Sequence, residues 1–594
     1  MRFQQFRATI AFAAIVGTIA FCSPIFAQPA SQRDIVSVPQ LLENVNSDNV
    51  RVAASAARTL GVVFSPGGRG GDELEQVTQL LIEKLDSPLG AKLRFECARA
   101  LGTMKASAAT DKMKVAMKDE DIEVAMAAGE AIGRILPVDD AREYLIEQGT
   151  DAEEHMLVAA LHGIAPISKA EDKDFLLAGL ASENWRAQKD AIVGLERSVR
   201  AGADLTAEQY DSVAQTMLSN IVNASNQAIH FFTHIRNEDS FAAVLKAAET
   251  HGDDTKSDGT WRMRSNALQT LYHLGATAQK QALPTIIRQL GDRTANVTNG
   301  ARRILNELRK EHYVSQQDLF PVLLTELEKA ESLKLRGGIM KEMGSHVDRQ
   351  YASRVATIAA KTLDDCLEDT KEWTTRASAL ILIGSSQHTG SMKQVATCVA
   401  DDISNVRSAA GRALEEVHSL CSADAKAEVA PVLQPLLINP VDWRKTAVAA
   451  RAVGYYATAE NVEPLTLLLS HSVINVRQGA SHSLVTIANS DDESLSEAVD
   501  KAVSAELAGN RSAWEYGAPV LGALKDVKAL PLLTKMLQGS SWHAQAAAAD
   551  AVTAIASTNK VNDKDLSDAL IAAGQSETIQ VQDACDRALR ALTK

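Results

Sequence analysis

Aromatic residues make up only 4% of the 594-residue chain, and it carries just six cysteines, 15 prolines and 33 glycines. The cysteines are widely spaced, with neither a C-x-x-C pair nor a C-x-x-C-H sequence, which excludes c-type haem attachment and argues against a disulfide scaffold. Five cysteines follow the N-terminal segment, leaving room for one pair among Cys366, Cys398 and Cys421 in an oxidising compartment. There is no G-x-S-x-G, no phosphate-binding G-K-S/T loop and no dinucleotide fingerprint, so the common hydrolase and nucleotide-binding frameworks are absent. Basic charge is in short supply: 61 Lys and Arg face 75 Asp and Glu, for a net charge of −14. Such a chain repels phosphate backbones, which excludes general nucleic-acid binding.

The first 27 residues differ from the rest. Arg2 and Arg7 precede the apolar stretch from Ala8 to Phe21, and Ile25-Phe26-Ala27 supplies a cleavage context. A transmembrane helix needs about 20 apolar residues, so this stretch reads as a signal peptide cleaved near Ala27. Phe21 is too bulky for a lipobox before Cys22, and no stable transmembrane anchor is expected. Cleavage takes away two arginines and no acid, so the charge falls from −14 to −16. Residues 28–34 read as a short linker and 35–594 as one repeat array.

Alanine, leucine and valine dominate what remains, the composition of helices that approach closely on small side chains. The stretch 405–414, NVRSAAGRAL, nearly recurs at 475–484 as NVRQGASHSL. Taking Arg407 and Arg477 as markers, apolar residues follow at Ala410, Leu414 and Val417, and at Ala480, Leu484 and Ile487. That is one helical stripe of 3–4 spacing. Arg94, Arg264, Arg336 and Arg376 head similar stripes, and weaker copies surround Ala53, Ala125, Leu157, Gln188, Ala228, Thr298, Thr446, Gly517, Gln545 and Gln582. The mean step of about 35 residues predicts a solenoid of about sixteen two-helix units forming a superhelix. Pro284, Pro321, Pro431, Pro464 and Pro531 lie 13 to 15 residues before their markers. They are expected in the first turn of the preceding helix, where a missing N–H costs nothing.

A proline-bearing helix A, a polar turn and then V-R-x-x-A-A-x-A-L together resemble HEAT repeats, closest to the phycobilisome-lyase-type HEAT-like subgroup with its ARM-type fold. DDISNVRSAAGRALEEV (401–417) and LRFECARALGTM (93–104) are the clearest copies, and the resemblance covers the whole chain after about residue 35. It implies an all-α solenoid whose marker arginines meet an aspartate of the adjacent repeat. Some HEAT-repeat hydroxylases hold two irons through His-Glu dipeptides. Here only the reversed Glu154-His155 and Glu311-His312 occur, so no iron site is carried over. An exported chain equally lacks access to the substrate of the phycobilin lyases.

The six tryptophans, Trp185, Trp261, Trp373, Trp443, Trp514 and Trp542, each lie three residues before a marker. Four of the preceding residues, Asn184, Thr260, Asp442 and Ser541, are good N-caps, so each ring opens a helix B. The preferred reading is packing that seals one repeat on the next. The alternative is an aromatic rim that binds a peptide or glycan. His230 and His234, in H-F-F-T-H, share a helical face, but Phe231 stands where a zinc protease needs glutamate, and His251 would join them only by accident of the fold. Two ligands make no site, so no metal, cofactor or catalytic residue is assigned. The glycine-rich Gly67–Gly71 reads as an inter-helix loop, and Asp119–Asp121 and Asp491–Glu493 as turns and helix starts.

The functional expectation is an exported scaffold that binds another protein without catalysis of its own. One alternative is a lyase or metal-dependent hydrolase with residues on the inner solenoid face. Another is a structural component of an envelope assembly.

Overall fold

Helix B of each repeat can be followed from its marker. In the computed structural model, which describes residues 37–250, 259–344, 347–367 and 370–593, the sixteen markers fall on sixteen separate helices. In fourteen of these the marker is the fourth helical residue, as Arg407 is in Ser404–Val417 and Gln545 in Trp542–Ala556. Arg264 is the fifth residue of Thr260–Leu274. Ala228 is the seventh residue of Val222–His234, so the repeat register there belongs three residues earlier, to Ser225. The signal-peptide segment, the linker and His251 lie outside the described residues.

The chain divides into two units, 1–270 and 271–594. Within the first, B helices pack in succession: Val50–Val63, Ala91–Met104, Ile122–Ile135, Glu154–Ile164, Trp185–Arg200 and Val222–His234. Within the second, the same succession runs from Leu333–Met343 to Ile579–Leu592, and A helices such as Ala423–Ile438 and Ala459–Leu468 pack on one another beside it. Each unit is therefore a HEAT-type α-solenoid. No strand occurs among the described residues, and no helix of theirs is long and apolar enough to cross a membrane.

Small residues set how closely the B helices approach. A Cβ added at Gly129 would lie 2.1 Å from the Ala159 carbonyl oxygen, and one at Gly163 would lie 2.4 Å from that of Gly129. Ile122–Ile135 and Glu154–Ile164 thus touch backbone to backbone, closer than any side chain permits. Alanines at the marker-plus-three positions, Ala410 and Ala480, are fully buried for the same reason.

The marker side chain has a task that the weaker copies share. Six markers donate to the carbonyl six residues earlier, at the end of helix A or in the A–B turn. Arg336 reaches Ala330 at 2.9 Å, Arg407 reaches Asp401 at 2.8 Å and Arg477 reaches His471 at 2.8 Å. Gln188, Gln545 and Gln582 make the same bond to Ser182, Gly539 and Ser576 at 2.9, 2.9 and 2.7 Å. Carbonyls at a helix end lack intrahelical donors, and a side chain from the next helix supplies one. Among the described residues, three marker arginines meet the expected inter-repeat aspartate. Arg94 holds Asp119 in a two-pronged pair at 2.7 and 2.8 Å, Arg336 reaches Asp365 at 2.8 Å and Arg376 reaches Asp401 at 3.0 Å.

Two further expectations change. Pro284 and Pro531 occupy first turns, but Pro321, Pro431 and Pro464 lie inside their helices. Ser315, Ser422 and Thr458 begin those helices well before the proline, because a polar cap nucleates the helix earlier than the apolar pattern suggests. All five described cysteines are free thiols, so no pair forms among Cys366, Cys398 and Cys421. Burial pushes the thiols of Cys97 and Cys398 up to about 12, which keeps them inert. Asp121 and Asp492 cap helices as expected, and Gly67–Gly71 connects two helices.

Candidate functional site

Because A helices stack on A helices and B on B, the A–B turns of a unit fall along one edge. The tryptophans stand on that edge. Five are the first residue of a B helix, and Trp261 is the second. Asn184, Asp442 and Ser541 cap their helices through side chains that accept from backbone N–H groups. Thr260 does not cap; it is the first residue of its helix, and Gly259, at φ +68°, makes the turn instead.

Burial separates the rings. Trp514 is 4% exposed, and its indole N–H donates to the Leu507 carbonyl at 2.8 Å, closing the end of Glu493–Gly509. Trp185, Trp261, Trp373 and Trp443 are half-buried, and Trp542 is 40% exposed. Arg186, Arg262 and Arg444 lie over the rings of Trp185, Trp261 and Trp443 at 4.7, 5.0 and 4.8 Å, and His543 stacks on Trp542 at 3.5 Å. Packing accounts for Trp514. Of the part-exposed rings, Trp185, Trp261 and Trp443 each carry an arginine and Trp542 an imidazole against the ring.

In the second unit the same edge is apolar beyond its tryptophans. Ile438 and Val441, in one turn, are 62% and 85% exposed; Leu467 and Ile474, around the next, are 58% and 48% exposed. Ile571 and Ile579 continue the pattern at the last turn. Scattered exposed aliphatics are ordinary, but several at equivalent turns of one stack are not.

A second feature, which sequence reasoning missed, runs along the B helices. Their ninth residue, five past the marker, is charged or histidine in twelve of sixteen cases. In the first unit, His162 Nδ1 lies 2.8 Å from Asp190 Oδ2, and its Nε2 lies 3.9 Å from Glu130. Burial alone would lower the His162 pKa, but the hydrogen bond and charge of Asp190, with Glu130, outweigh it and raise the value. Burial alone would raise that of Asp190, yet His162 and Lys189 hold it below the usual carboxylate range. In the second unit, the Tyr455 hydroxyl meets Glu415 at 3.2 Å and His482 Nε2 at 3.0 Å. Burial and then Arg451 lower the His482 pKa.

The same stripe brings a third group to the two histidines. His230 and His234 lie one turn apart with ring centroids 4.0 Å from each other. Glu196, from Trp185–Arg200, places Oε2 2.9 Å from His230 Nδ1 and Oε1 3.6 Å from His234 Nδ1. The misplaced marker at Ala228 hid the signal: counted from Ser225, His230 falls at the same plus-five position as His162 and His482.

No protein-family model matches the chain, and no curated protein matches its sequence. Solved structures similar to it include importin beta in a polyethylene glycol condition, at 13% identity over 93% of this chain and 88% of that one, with a TM-score of 0.36. The Kap95:Nup1 complex is 13% identical over 95% and 77% of the two chains, at 0.33. The karyopherin Kap121p bound to the extreme C-terminus of Cdc14p is 12% identical over 96% and 83%, at 0.31. Superpositions this loose leave the fold resting on the chain's own helices.

Proposed function

We propose that this chain is an exported HEAT-type scaffold that binds another protein along the A–B edge and performs no catalysis of its own. The observation that carries this reading is the run of exposed aliphatics on equivalent turns of the second unit, with Val441 at 85% and Ile579 at 67%. A partner presenting apolar side chains would cover them, and Trp542 and Trp443 beside them supply rigid aromatic area of the kind interfaces favour. A peptide is the form of ligand that such a strip accommodates, with a glycan as the alternative for the exposed rings. Export rests on Arg2, Arg7 and the apolar segment to Phe21, which favour a periplasmic or extracellular mature chain beginning near Gln28.

The test compares wild type with a Val441→Asp, Trp542→Ala, Ile579→Asp variant in affinity capture from the envelope fraction. A partner recovered in stoichiometric amount by wild type should be lost by the variant while its helical circular dichroism and melting are retained. Equal recovery by both would remove the edge as the binding surface. Concentration-dependent self-association abolished by the same substitutions would point instead to the structural-assembly alternative.

A further inference from the structure

We propose that Glu196, His230 and His234 form a binding site for a divalent transition metal, with zinc the best fit to the donor set. Among the described residues these three can each offer one ligand atom with all three atoms within 4.8 Å of one another. Two imidazoles and one carboxylate are a zinc donor set, and three protein ligands leave one position open to water or to a donor from outside. Zinc–ligand lengths of about 2.0–2.2 Å in a tetrahedral site put donors about 3.3–3.6 Å apart, so separations near 4.8 Å must close by about 1.2–1.5 Å while the 2.9 Å between His230 Nδ1 and Glu196 Oε2 opens slightly.

The fold prepares the site from two sides. Glu196 is 7% exposed and is held by its place on a B helix packed directly against the one that carries the histidines. Its Oε1 is fixed by Arg200 at 2.7 Å, leaving Oε2 aimed at the His230 ring. The histidine rings are each more than a third exposed, which gives the ion an entry path. His234 Nδ1 also lies 2.9 Å from the His230 carbonyl, so donating there leaves its Nε2 lone pair free. As it stands, a proton bridges His230 Nδ1 and Glu196 Oε2. The metal takes that proton's place at Nδ1, the neutral ring carries its N–H at Nε2 instead by exchange with solvent, and no redox change is involved. Among the described residues, Arg200 is the cation paired with the site and opposes the ion, but its side chain is 55% exposed and can turn out to solvent. An ion here would tie two successive repeats of the first unit together, independently of whether the A–B edge of the second unit binds a partner.

The experiment uses the full mature chain without a polyhistidine tag, stripped of metal, with Zn²⁺ titrated in competition with a chromophoric chelator. One equivalent should bind, and Co²⁺ in its place should give visible bands of tetrahedral intensity. His230→Ala and His234→Ala should each weaken binding by more than about 100-fold, since even substitutions behind a ligand cost roughly 10–100-fold. Glu196→Gln should weaken it comparably, and its folding is checked by circular dichroism; if it unfolds, the two histidine variants decide the matter. Arg200→Ala should tighten binding by roughly 2–5-fold, the size of a part-exposed charge contact. His162→Ala, in the neighbouring cluster, should change nothing. Absence of a stoichiometric equivalent at micromolar zinc, or uptake unchanged in both histidine variants, would overturn the proposal.

Discussion

Arginine and glutamine should be interchangeable at one kind of marker and not at another. Arg407 is 5% exposed and donates to the Asp401 carbonyl six residues earlier, a bond that Gln188, Gln545 and Gln582 make at the same distance in their own repeats. Arg407→Gln should therefore stay within about 1 kcal/mol of wild type, the difference between a charged and a neutral donor. Arg407→Leu leaves that carbonyl without its donor and should cost about 1–3 kcal/mol. Arg94 has a different partner: it holds the part-buried Asp119 through two bonds. Arg94→Gln strands that carboxylate and should cost about 3 kcal/mol, near the low end for a broken buried pair because both side chains keep some exposure. The Asp119 deficit also has a pH signature. Burial alone would raise its pKa, but the Arg94 bond, the Asp121 N–H and the Arg94 charge bring it below the usual value. A depressed folded pKa gives stability that is present above about pH 3.9 and lost as pH falls through the folded value. The cost of Arg94→Gln should thus be full at neutral pH and fade below about pH 4, whereas that of Arg407→Leu should not. Repeat arrays open locally, so the assay is native-state hydrogen exchange on peptides spanning 110–135 and 395–420, with urea unfolding as the global check. If Arg407→Gln proves as damaging as Arg407→Leu, or Arg94→Gln no worse than Arg407→Gln, the carbonyl-capping account of the markers is wrong.

Trp514→Ala should cost about 3–5 kcal/mol by leaving a cavity and an orphaned Leu507 carbonyl, while Trp542→Ala, at the surface, should change stability by less than about 1 kcal/mol; chemical denaturation of both variants decides it. The His162–Asp190 pair should make stability pH-dependent in the opposite sense to Asp119. A raised histidine pKa contributes fully below about pH 6.5 and is lost as pH rises through the folded value, so His162→Ala should lower the melting temperature more at pH 6 than at pH 9. Equal losses at the two pH values would mean that the imidazole acts only by packing.

Helical periodicity is local, and so the sequence by itself determined the B helices and their register. An apolar stripe every three to four residues with a marker in the first turn placed sixteen helix starts, fourteen of them to the residue. It also placed every tryptophan at the beginning of a B helix. It did not determine the start of helix A, because caps such as Ser422 act ahead of the apolar pattern and carry Pro431 into the helix interior. What only the tertiary structure decided are the meetings between residues about 30 positions apart. Whether a marker arginine reaches the next repeat's aspartate or its own turn depends on where that turn lies, and the turns vary in length. Ring exposure follows the same variable: Trp514 is covered because the end of the preceding A helix folds back over it, whereas nothing equivalent covers Trp542. Glu196 joins His230 and His234 only because the neighbouring B helices Trp185–Arg200 and Val222–His234 stack on one another in one register, a property of two helices together that neither sequence carries alone.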